Sequence, residues 1–382
     1  MLFAPLLAAA LALQPQPPAD PEPYIAHVVV RVVDEQGRPV PGVAVGNQAG
    51  CSDLSGAPRG PTLFFAGKDQ QDASVTGADG LVTISKNAIF YGEEDKEPKP
   101  IVAWKTDHSM VGIAEVPRPC PFEPIVVTLA PACHLTVKTT SKGLEDLGRK
   151  LTWSNVDIYW KGLRPMSSDS QIGEQTFYLP PGQYHLAAYG ADADSVYPDL
   201  TIAKGETTKT VTLDLPASRI AQLVGKPAPE LSHIQGWLNG GPVKLADLKG
   251  KVVLLDFWGY WCGPCVHSMP ELIDLHEKYK DKGLVIIAVH DASVPTVQEM
   301  LAKLERPKKE IWGGKDLPFL VALDGPDQPL AKDDTPYGTG ATTAAYGITG
   351  FPTQVLIDPN GNVVGRPTKG QIERMMSDLQ SK

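Results

Sequence analysis

The clearest chemical signature in the sequence is a pair of cysteines two residues apart, Cys262-Gly263-Pro264-Cys265. The pair follows the apolar run 252–255 and precedes a stretch with helical spacing, so the first cysteine is expected at a helix N-terminus. Unpaired N–H groups and the helix dipole stabilise a thiolate there. The short spacer puts the second sulfur within disulfide reach of the first. The pattern predicts thiol–disulfide exchange, in which Cys262 attacks a partner disulfide and Cys265 resolves the mixed disulfide.

Other uses of a cysteine pair fit the surrounding residues less well. A structural zinc site requires four ligands, usually including a second Cys/His pair, and the sequence has no second CxxC. Attachment of a c-type haem requires histidine directly after the second cysteine, where this chain has Val266. A purely structural disulfide is the remaining alternative. We therefore expect no metal and no cofactor at this pair.

The elements that position the cysteines alternate between strands and helices after residue 220. Continuous apolar runs are typical of strands covered on both faces, and their alternation with helices predicts a three-layer α/β domain. The predicted strands are 252–255, 284–289, 319–323, 354–357 and 363–364, and the predicted helices are about 263–280, 294–304 and 369–379.

Residues 256–265 (DFWGYWCGPC) closely resemble the active-site segment of thioredoxin. Residues 224–229 (VGKPAP), 243–251 (VKLADLKGK) and 350–353 (GFPT) are similar to motifs of the exported TlpA/ResA-like branch of the thioredoxin superfamily. The resemblance extends over about 223–382. It implies a thioredoxin fold and a thiol:disulfide oxidoreductase.

The resemblance also implies roles for individual residues. Pro352 would follow a cis peptide bond beside the disulfide, whereas the alternative is an ordinary trans proline at the start of a strand. Asp256 would be a buried carboxyl with a raised pKa that takes the proton from Cys265, whereas the alternative is a solvent-facing residue at the end of a strand. The residues expected to contact an extended polypeptide substrate are Trp261, Gly263, Pro264, Phe351, Pro352 and Thr353.

Two departures from related families narrow the expected activity. Cytochrome-maturation members of the branch commonly carry an acidic residue three positions after the second cysteine, where this chain has Ser268. Specialisation for apocytochrome c is therefore in doubt. Peroxiredoxins require threonine three residues before their reactive cysteine, where this chain has Gly259, so the sequence argues against a peroxidase.

The region before residue 217 is rich in short β-branched runs and turn signals, which predict all-β sandwich modules. Within 24–131, a strand, the segment GRPVPGV, a second strand and the later segment TGADGLVTI resemble the carboxypeptidase-regulatory-like (transthyretin-like) sandwich family. Residues 132–216 indicate a second module of the same type, ending in a hairpin across the turn at 204–206. The predicted fold class is one or two all-β sandwich modules followed by an α/β thioredoxin fold.

The N-terminus and the overall charge bear on location and partners. Residues 1–13 form a short apolar run that continues into a Pro-rich stretch, and we assign 1–19 to a signal peptide and linker. About 12 apolar residues are too few to cross a membrane as a helix, so the mature protein is not expected to span one. With 35 basic and 44 acidic residues, the net charge of −9 argues against nucleic-acid binding.

Three cysteines lie outside the CGPC motif, at Cys51, Cys120 and Cys133. An extended strand at 125–129 would hold Cys120 and Cys133 too far apart for a disulfide. The spacing therefore favours a disulfide from Cys51 to one of the other two.

The predicted function is that of an exported thiol:disulfide oxidoreductase of the periplasm or another extracytoplasmic space, acting on protein disulfides. The Gly-Pro spacer resembles thioredoxin and favours the reducing or isomerising direction, with electrons from a membrane donor. The alternative is an extracytoplasmic binding or adhesion protein that uses a thioredoxin-like domain mainly for docking.

Overall fold

The computed structural model describes residues 27–46, 49–51, 62–63, 74–85, 97–168, 173–326 and 338–381. The predicted signal peptide and linker lie outside the described residues. The chain forms two compact units. The first contains residues up to Lys138 together with 155–187 and 197–212, and the second contains 139–154, 188–196 and 213–382. The predicted boundaries at 131 and 216 do not coincide with this division and stay predictions.

The N-terminal region is built from strands in several sheets, with one short helix, α1 (Lys142–Asp146), among the described residues. The strands are β1 (His27–Val33), β2 (Ala44–Gly46), β3 (Ala49–Cys51), β4 (Thr62–Leu63), β5 (Ser74–Val75), β6 (Leu81–Ser85), β7 (Lys99–Trp104), β8 (Met110–Val116), β9 (Ile125–Thr128), β10 (Ala130–Pro131), β11 (Cys133–Thr140), β12 (Ser154–Trp160), β13 (Leu163–Ser168), β14 (Glu174–Leu179), β15 (Gly182–Gly190), β16 (Ala193–Val196), β17 (Asp199–Ile202) and β18 (Thr208–Asp214).

Two of these sheets pack around one apolar core and confirm the sandwich prediction for the first module. In the described residues the sheets have the strand orders β6-β1-β9 and β10-β8-β7-β2-β5. Strand β1 alternates, with Val28, Val30 and Val32 buried, because successive side chains of a strand point to opposite faces. These valines share a core with Ile101 and Ala103 of β7.

The second predicted module is joined to the first through a shared sheet. Strand β13 pairs in parallel with β3, so that Met166 lies opposite Ala49. The hairpin predicted across 204–206 is wrong, because its two strands join different sheets. Strand β17 pairs with β15, whereas β18 extends the sheet ordered β14-β11-β18.

Cys120 and Cys133 are free and buried. The disulfide between Cys51 and one of them, which the sequence analysis favours, is therefore wrong. Cys120 packs in the apolar core of the first sandwich. Cys133 is fully buried on β11, and burial raises the pKa of its thiol. A thiol in such surroundings is a small apolar side chain that needs no partner.

The second unit contains the predicted α/β domain. Its elements are α2 (Arg219–Leu223), β19 (Gly236–Leu238), β20 (Val252–Trp258), α3 (Gly263–Tyr279), β21 (Leu284–His290), α4 (Val297–Glu310), β22 (Leu320–Leu323), α5 (Ala341–Ala345), β23 (Thr353–Ile357), β24 (Val363–Gly365) and α6 (Lys369–Gln380). The described strands form one sheet in the order β19-β22-β21-β20-β23-β24. Strand β20 runs parallel to β21 and antiparallel to β23.

Helices cover both faces of this sheet, and the fold is that of thioredoxin. All seven residues of β20 are buried, and they alternate between two apolar cores. The first core contains side chains from α3, α4 and α6, and the second contains side chains from α2 and α5. This arrangement explains why β20 is a continuous apolar run rather than an alternating one. The predicted strands and helices are confirmed, with differences at their ends.

Helix α4 differs most from its prediction. It begins at Val297 rather than 294, because Thr296 Oγ1 accepts a hydrogen bond from the N–H of Glu299 and caps the helix. It continues through Pro307 to Glu310, although the sequence predicts an end near 304. Proline removes one backbone donor but does not always end a helix.

Helix α2 begins before the predicted domain boundary at 223. Its Ile220 and Leu223 are buried in the core shared with β20 and α5. Ser218 caps the helix, since its Oγ accepts a hydrogen bond from the N–H of Ala221 at 3.2 Å. A cut at 223 would separate most of α2 from the core to which it contributes.

Candidate active site

Cys262 and Cys265 form a disulfide at the start of α3. Cys262 is the N-cap of the helix, and its Sγ accepts a hydrogen bond from the N–H of Cys265 at 3.2 Å. Pro264 lies in the first helical turn, where N–H groups have no partner within the helix and a proline costs little. The structure thus places Cys262 where backbone donors and the helix dipole stabilise a thiolate.

The two cysteines differ in their access to solvent. Cys262 retains 5% of its accessible surface, whereas Cys265 retains none. Gly263 and Pro264, between them, are exposed. An incoming disulfide can therefore approach Cys262 from the exposed side of the loop, whereas Cys265 has no exposed surface.

Asp256 lies on the face of the sheet against which the two cysteines pack. It belongs to β20 and, by strand alternation, shares the face of Leu254 and Trp258, which pack with both cysteines in one core. Its carboxyl is fully buried. Oδ1 accepts a hydrogen bond from Gln354 Nε2 at 3.1 Å, and Oδ2 has no hydrogen-bond partner among the described residues.

Burial raises the pKa of Asp256 from 3.8 to about 7, because the carboxylate loses its hydration, and the Gln354 hydrogen bond opposes part of this rise. A carboxyl with a pKa near neutrality can exchange a proton with a thiol under physiological conditions. The alternative of a solvent-facing aspartate at the end of the strand is wrong.

Two of the residues predicted to bind substrate meet near the disulfide, since Trp261 directly precedes Cys262 and Phe351 packs against the core that contains both cysteines. The Phe351–Pro352 peptide bond is cis, as the resemblance implies. Pro352 is exposed, and Phe351 and Thr353 are half-buried. Trp261 is 41% exposed, and its ring meets the ring of Phe351 edge-on at 5.8 Å between centroids. These side chains form an exposed aromatic edge beside the cysteines.

His290 and Asp291 are part of the active-site surroundings. The position of His290 at the end of an apolar strand suggested this in the sequence, although an inert histidine was favoured, and Asp291 was not singled out. Both side chains are fully buried at the end of β21, next to β20. His290 Nε2 accepts a hydrogen bond from the N–H of Tyr260 at 3.0 Å. Asp291 Oδ2 accepts hydrogen bonds from Trp261 Nε1 at 2.8 Å and from the N–H of Gly338 at 2.6 Å.

These contacts fix the loop that precedes the cysteines. Burial lowers the pKa of His290, which favours the neutral ring with its proton on Nδ1. The signal available in the sequence was the pair of polar residues after an apolar strand adjacent to β20, since the ends of parallel strands meet at one edge of a sheet. Gln354 was also missed, although its place directly after the Phe351–Thr353 segment could have suggested it.

Ser268 lies one helical turn after Cys265 and donates a hydrogen bond from Oγ to the carbonyl of Cys265 at 2.8 Å. Among the described residues, no group of three or more His, Cys, Asp or Glu side chains is arranged to hold a metal ion. No helix in the described part of the chain has the length and apolarity needed to cross a membrane.

Comparisons with known proteins agree with this geometry. The profile of the Redoxin family matches residues 223–381. Thiol-disulfide oxidoreductase ResA of Bacillus thuringiensis (strain Al Hakam) is 35% identical over 184 residues, which cover 47% of this chain and 92% of the Bacillus protein. The chain belongs to the ResA-type family of thiol-disulfide oxidoreductases.

A second ResA, from Geobacillus kaustophilus (strain HTA426), is 32% identical over 175 residues, or 45% of this chain and 86% of that protein. The thioredoxin domain of a thiol-disulfide oxidoreductase from Bacteroides vulgatus is 28% identical, with 41% of this chain and 96% of that chain covered and a TM-score of 0.29. As a ResA-type protein, this chain is an oxidoreductase.

Proposed function

We propose that this ResA-type protein exchanges disulfides with protein substrates through Cys262 and Cys265, in the reducing or isomerising direction. The observation that carries the proposal is the arrangement of three groups: a slightly exposed cysteine at the N-terminus of α3, a fully buried second cysteine, and the buried carboxyl of Asp256 on the same face of the sheet. This arrangement divides nucleophilic attack, resolution and proton transfer among three side chains.

In the reducing direction, the Cys262 thiolate attacks one sulfur of the substrate disulfide, and the other substrate sulfur leaves as a thiolate. Cys265 then gives its proton to the Asp256 carboxylate and attacks Cys262. The bond between Cys262 and the substrate breaks, the second substrate sulfur leaves as a thiolate, and the Cys262–Cys265 disulfide forms. Two electrons pass from the dithiol to the substrate.

The exposed edge beside the disulfide supports a polypeptide as the substrate. Trp261, Gly263 and Pro264 are exposed next to Cys262 in the chain, and Trp261 contacts Phe351 of the Phe351–Thr353 segment. Pro352 has no N–H, and the β-ladder with β20 begins only at Thr353. The backbone before Thr353 can therefore pair with an extended chain whose disulfide lies over Cys262.

The proposed direction of electron transfer rests on the CGPC motif, and the proposed cellular location rests on the N-terminal sequence. A Gly-Pro spacer resembles thioredoxin, whose potential is about −270 mV, rather than a strong oxidant near about −120 mV. A dithiol of that kind needs an electron donor after each turnover, and for an exported protein we propose a donor in the membrane. Export to the periplasm or another extracytoplasmic space rests on the apolar N-terminal run. We further propose that 24–131 is a carboxypeptidase-regulatory-like module.

Substitution of each cysteine tests the proposal. Cys262→Ser should abolish the reduction of insulin disulfides with dithiothreitol, because the nucleophile is lost. Cys265→Ser should accumulate a mixed disulfide with a reactive protein substrate, seen on non-reducing gels. Cys120→Ala is the matched control, since this thiol is free and buried in the other unit. Full activity of Cys262→Ser, or no adduct with Cys265→Ser, would refute the assigned roles.

A further inference from the structure

The side chain of Gln354 lies between the buried carboxyl of Asp256 and a pocket in the second unit. Gln354 and Asp256 are directly opposite in the antiparallel pairing of β23 with β20. The amide Nε2 donates to Asp256 Oδ1 at 3.1 Å, and the same side chain lines a pocket of about 220 Å³. The other lining residues are Ser268, Glu271, Leu272, Leu275, Lys369 and Ile372.

The remaining surroundings of Asp256 are mostly apolar. Ala288 of β21 lies opposite Asp256 on the side away from Gln354. Trp258 and Leu254 occupy the same face of β20. Asp256 Oδ2 has no hydrogen-bond partner among the described residues. Among the described residues, one oxygen of the carboxyl is therefore hydrogen-bonded to Gln354, and the other oxygen has no hydrogen-bond partner.

The ionisable groups near this carboxyl lie in three places. Cys262 and Cys265 of α3 belong to the core below it, His290 of β21 contacts Trp258 on the same face of the sheet, and Glu271 and Lys369 line the pocket beside Gln354. Helix α4 contributes the apolar side chains Met300 and Leu304 to the same core. Glu271 and Lys369 are exposed, and they line the pocket beyond Gln354. Of the residues that line this pocket, Gln354 is the one that forms a hydrogen bond with the Asp256 carboxyl.

We propose that Gln354 is the positioning residue for proton transfer: its amide holds one oxygen of the Asp256 carboxyl and leaves the other oxygen to take the proton of Cys265. This inference rests on the proposed function of Cys262 and Cys265. During resolution, Cys265 gives its proton to Asp256 while its sulfur attacks Cys262 and the substrate leaves as a thiolate. When an electron donor reduces the Cys262–Cys265 disulfide again, Cys265 leaves as a thiolate and takes that proton back from Asp256.

The amide also determines how easily the carboxyl ionises. Burial raises the pKa of Asp256, and the hydrogen bond from Gln354 lowers it, since an N–H donor stabilises the carboxylate. Hydrogen bonds to charged groups change such equilibria by about tenfold or more. Loss of the donor should therefore move the ionisation of Asp256 upward by about one pH unit.

The test is the pH dependence of substrate release in Gln354→Met, which keeps the length of the side chain and removes the amide. Stopped-flow measurements from pH 5 to pH 9 on the full chain would follow release from a preformed mixed disulfide. We expect the midpoint to rise by about one pH unit and the rate at pH 7 to fall several-fold. The first attack by Cys262 should keep its rate.

Three further variants separate positioning from a structural effect. In the Asp256→Asn background, Gln354→Met should leave the profile unchanged, because the amide acts through the carboxyl. Gln354→Glu stays polar and should also raise the midpoint, since two neighbouring carboxyls do not ionise together. Gln380→Met, the same replacement at an exposed site at the end of α6, should keep the original profile.

The outcomes distinguish this inference from the function on which it rests. An unchanged midpoint in both Gln354 variants, or an equal shift in the Asp256→Asn background, would refute the role of Gln354 alone. Unchanged release in Asp256→Asn would refute the proton acceptor and the inference with it. Turnover by Cys262→Ser would refute the proposed dithiol mechanism as a whole.

Discussion

Replacing Asp256 by asparagine should make the oxidised protein more stable at neutral and alkaline pH while slowing its chemistry. Asparagine has nearly the same shape, and its side-chain oxygen can still accept the hydrogen bond from Gln354. It cannot carry a charge or bind the proton of Cys265. The substitution therefore separates the cost of burying a carboxylate from its use in catalysis.

The size of the stability effect follows from the pKa of Asp256, which burial raises from 3.8 to about 7. Below about pH 4 the carboxyl is neutral in both the folded and the unfolded chain, and it contributes no pH dependence. Between about pH 4 and about pH 7 the unfolded chain has lost the proton and the folded chain retains it, so stability falls as the pH rises. At about 1.4 kcal/mol per pH unit the total loss is roughly 4 kcal/mol.

Denaturant unfolding of the oxidised protein at several pH values would measure this difference. The free energies of unfolding of Asp256→Asn and the wild type should be close at pH 4 and should differ by roughly 4 kcal/mol at pH 8, with the variant more stable. Asp378→Asn, which alters an exposed carboxyl on α6, is the control and should follow the wild type. A constant difference between Asp256→Asn and the wild type across this range would refute the buried, protonated carboxyl.

The kinetic effect is measured on the same variant. Release of the partner from the mixed disulfide should slow by about 10²–10⁴-fold at neutral pH, the usual contribution of general-base catalysis. The first attack by Cys262 should change little, because its thiolate is stabilised by the start of α3. Equal release rates for wild type and variant across pH 5 to pH 9 would mean that Asp256 has no part in resolution.

One substitution and one pair of truncated fragments test how the second unit is held together. Asp291→Ala should lower the free energy of unfolding by roughly 3 kcal/mol in denaturant titrations, because the buried side chain of Asp291 accepts hydrogen bonds from Trp261 Nε1 and from the N–H of Gly338. An unchanged denaturation midpoint would contradict this prediction. A fragment 216–382 should reduce insulin disulfides, whereas 224–382, which lacks α2 and its buried Ile220, should be less stable by a few kcal/mol. Equal stability of the two fragments would show that α2 is dispensable.

Much of the α/β domain could be predicted because its signals are local. The runs at 252–255 and 284–289 are apolar throughout, and a run of that kind indicates a strand covered on both faces. The CGPC spacing indicates a redox pair wherever it follows such a strand and begins a helix. Asp256 could be assigned from the same segment, since a carboxyl among Leu255 and Phe257 has little access to water. The structure confirms the strands, the disulfide and the burial of Asp256, and the roles of these residues stay predictions.

Contacts between distant segments could not be predicted in this way. No periodicity indicates that β3 pairs with β13, or that β17 and β18 join different sheets. The pairing of Cys51 was wrong for the same reason, because the distance between two thiols depends on how whole sheets pack.

The sequence by itself determined the chemistry of the site and the type of each element around it, because residue type, spacing and apolar runs act over a few neighbouring positions. Only the tertiary structure decided which side chains meet. Gln354 is 98 residues from Asp256, and it contacts that carboxyl because β23 and β20 pair in one particular register. Asp291 holds Trp261 because β21 ends beside β20. Strand register depends on the packing of the complete sheet against its helices, and no local pattern contains it.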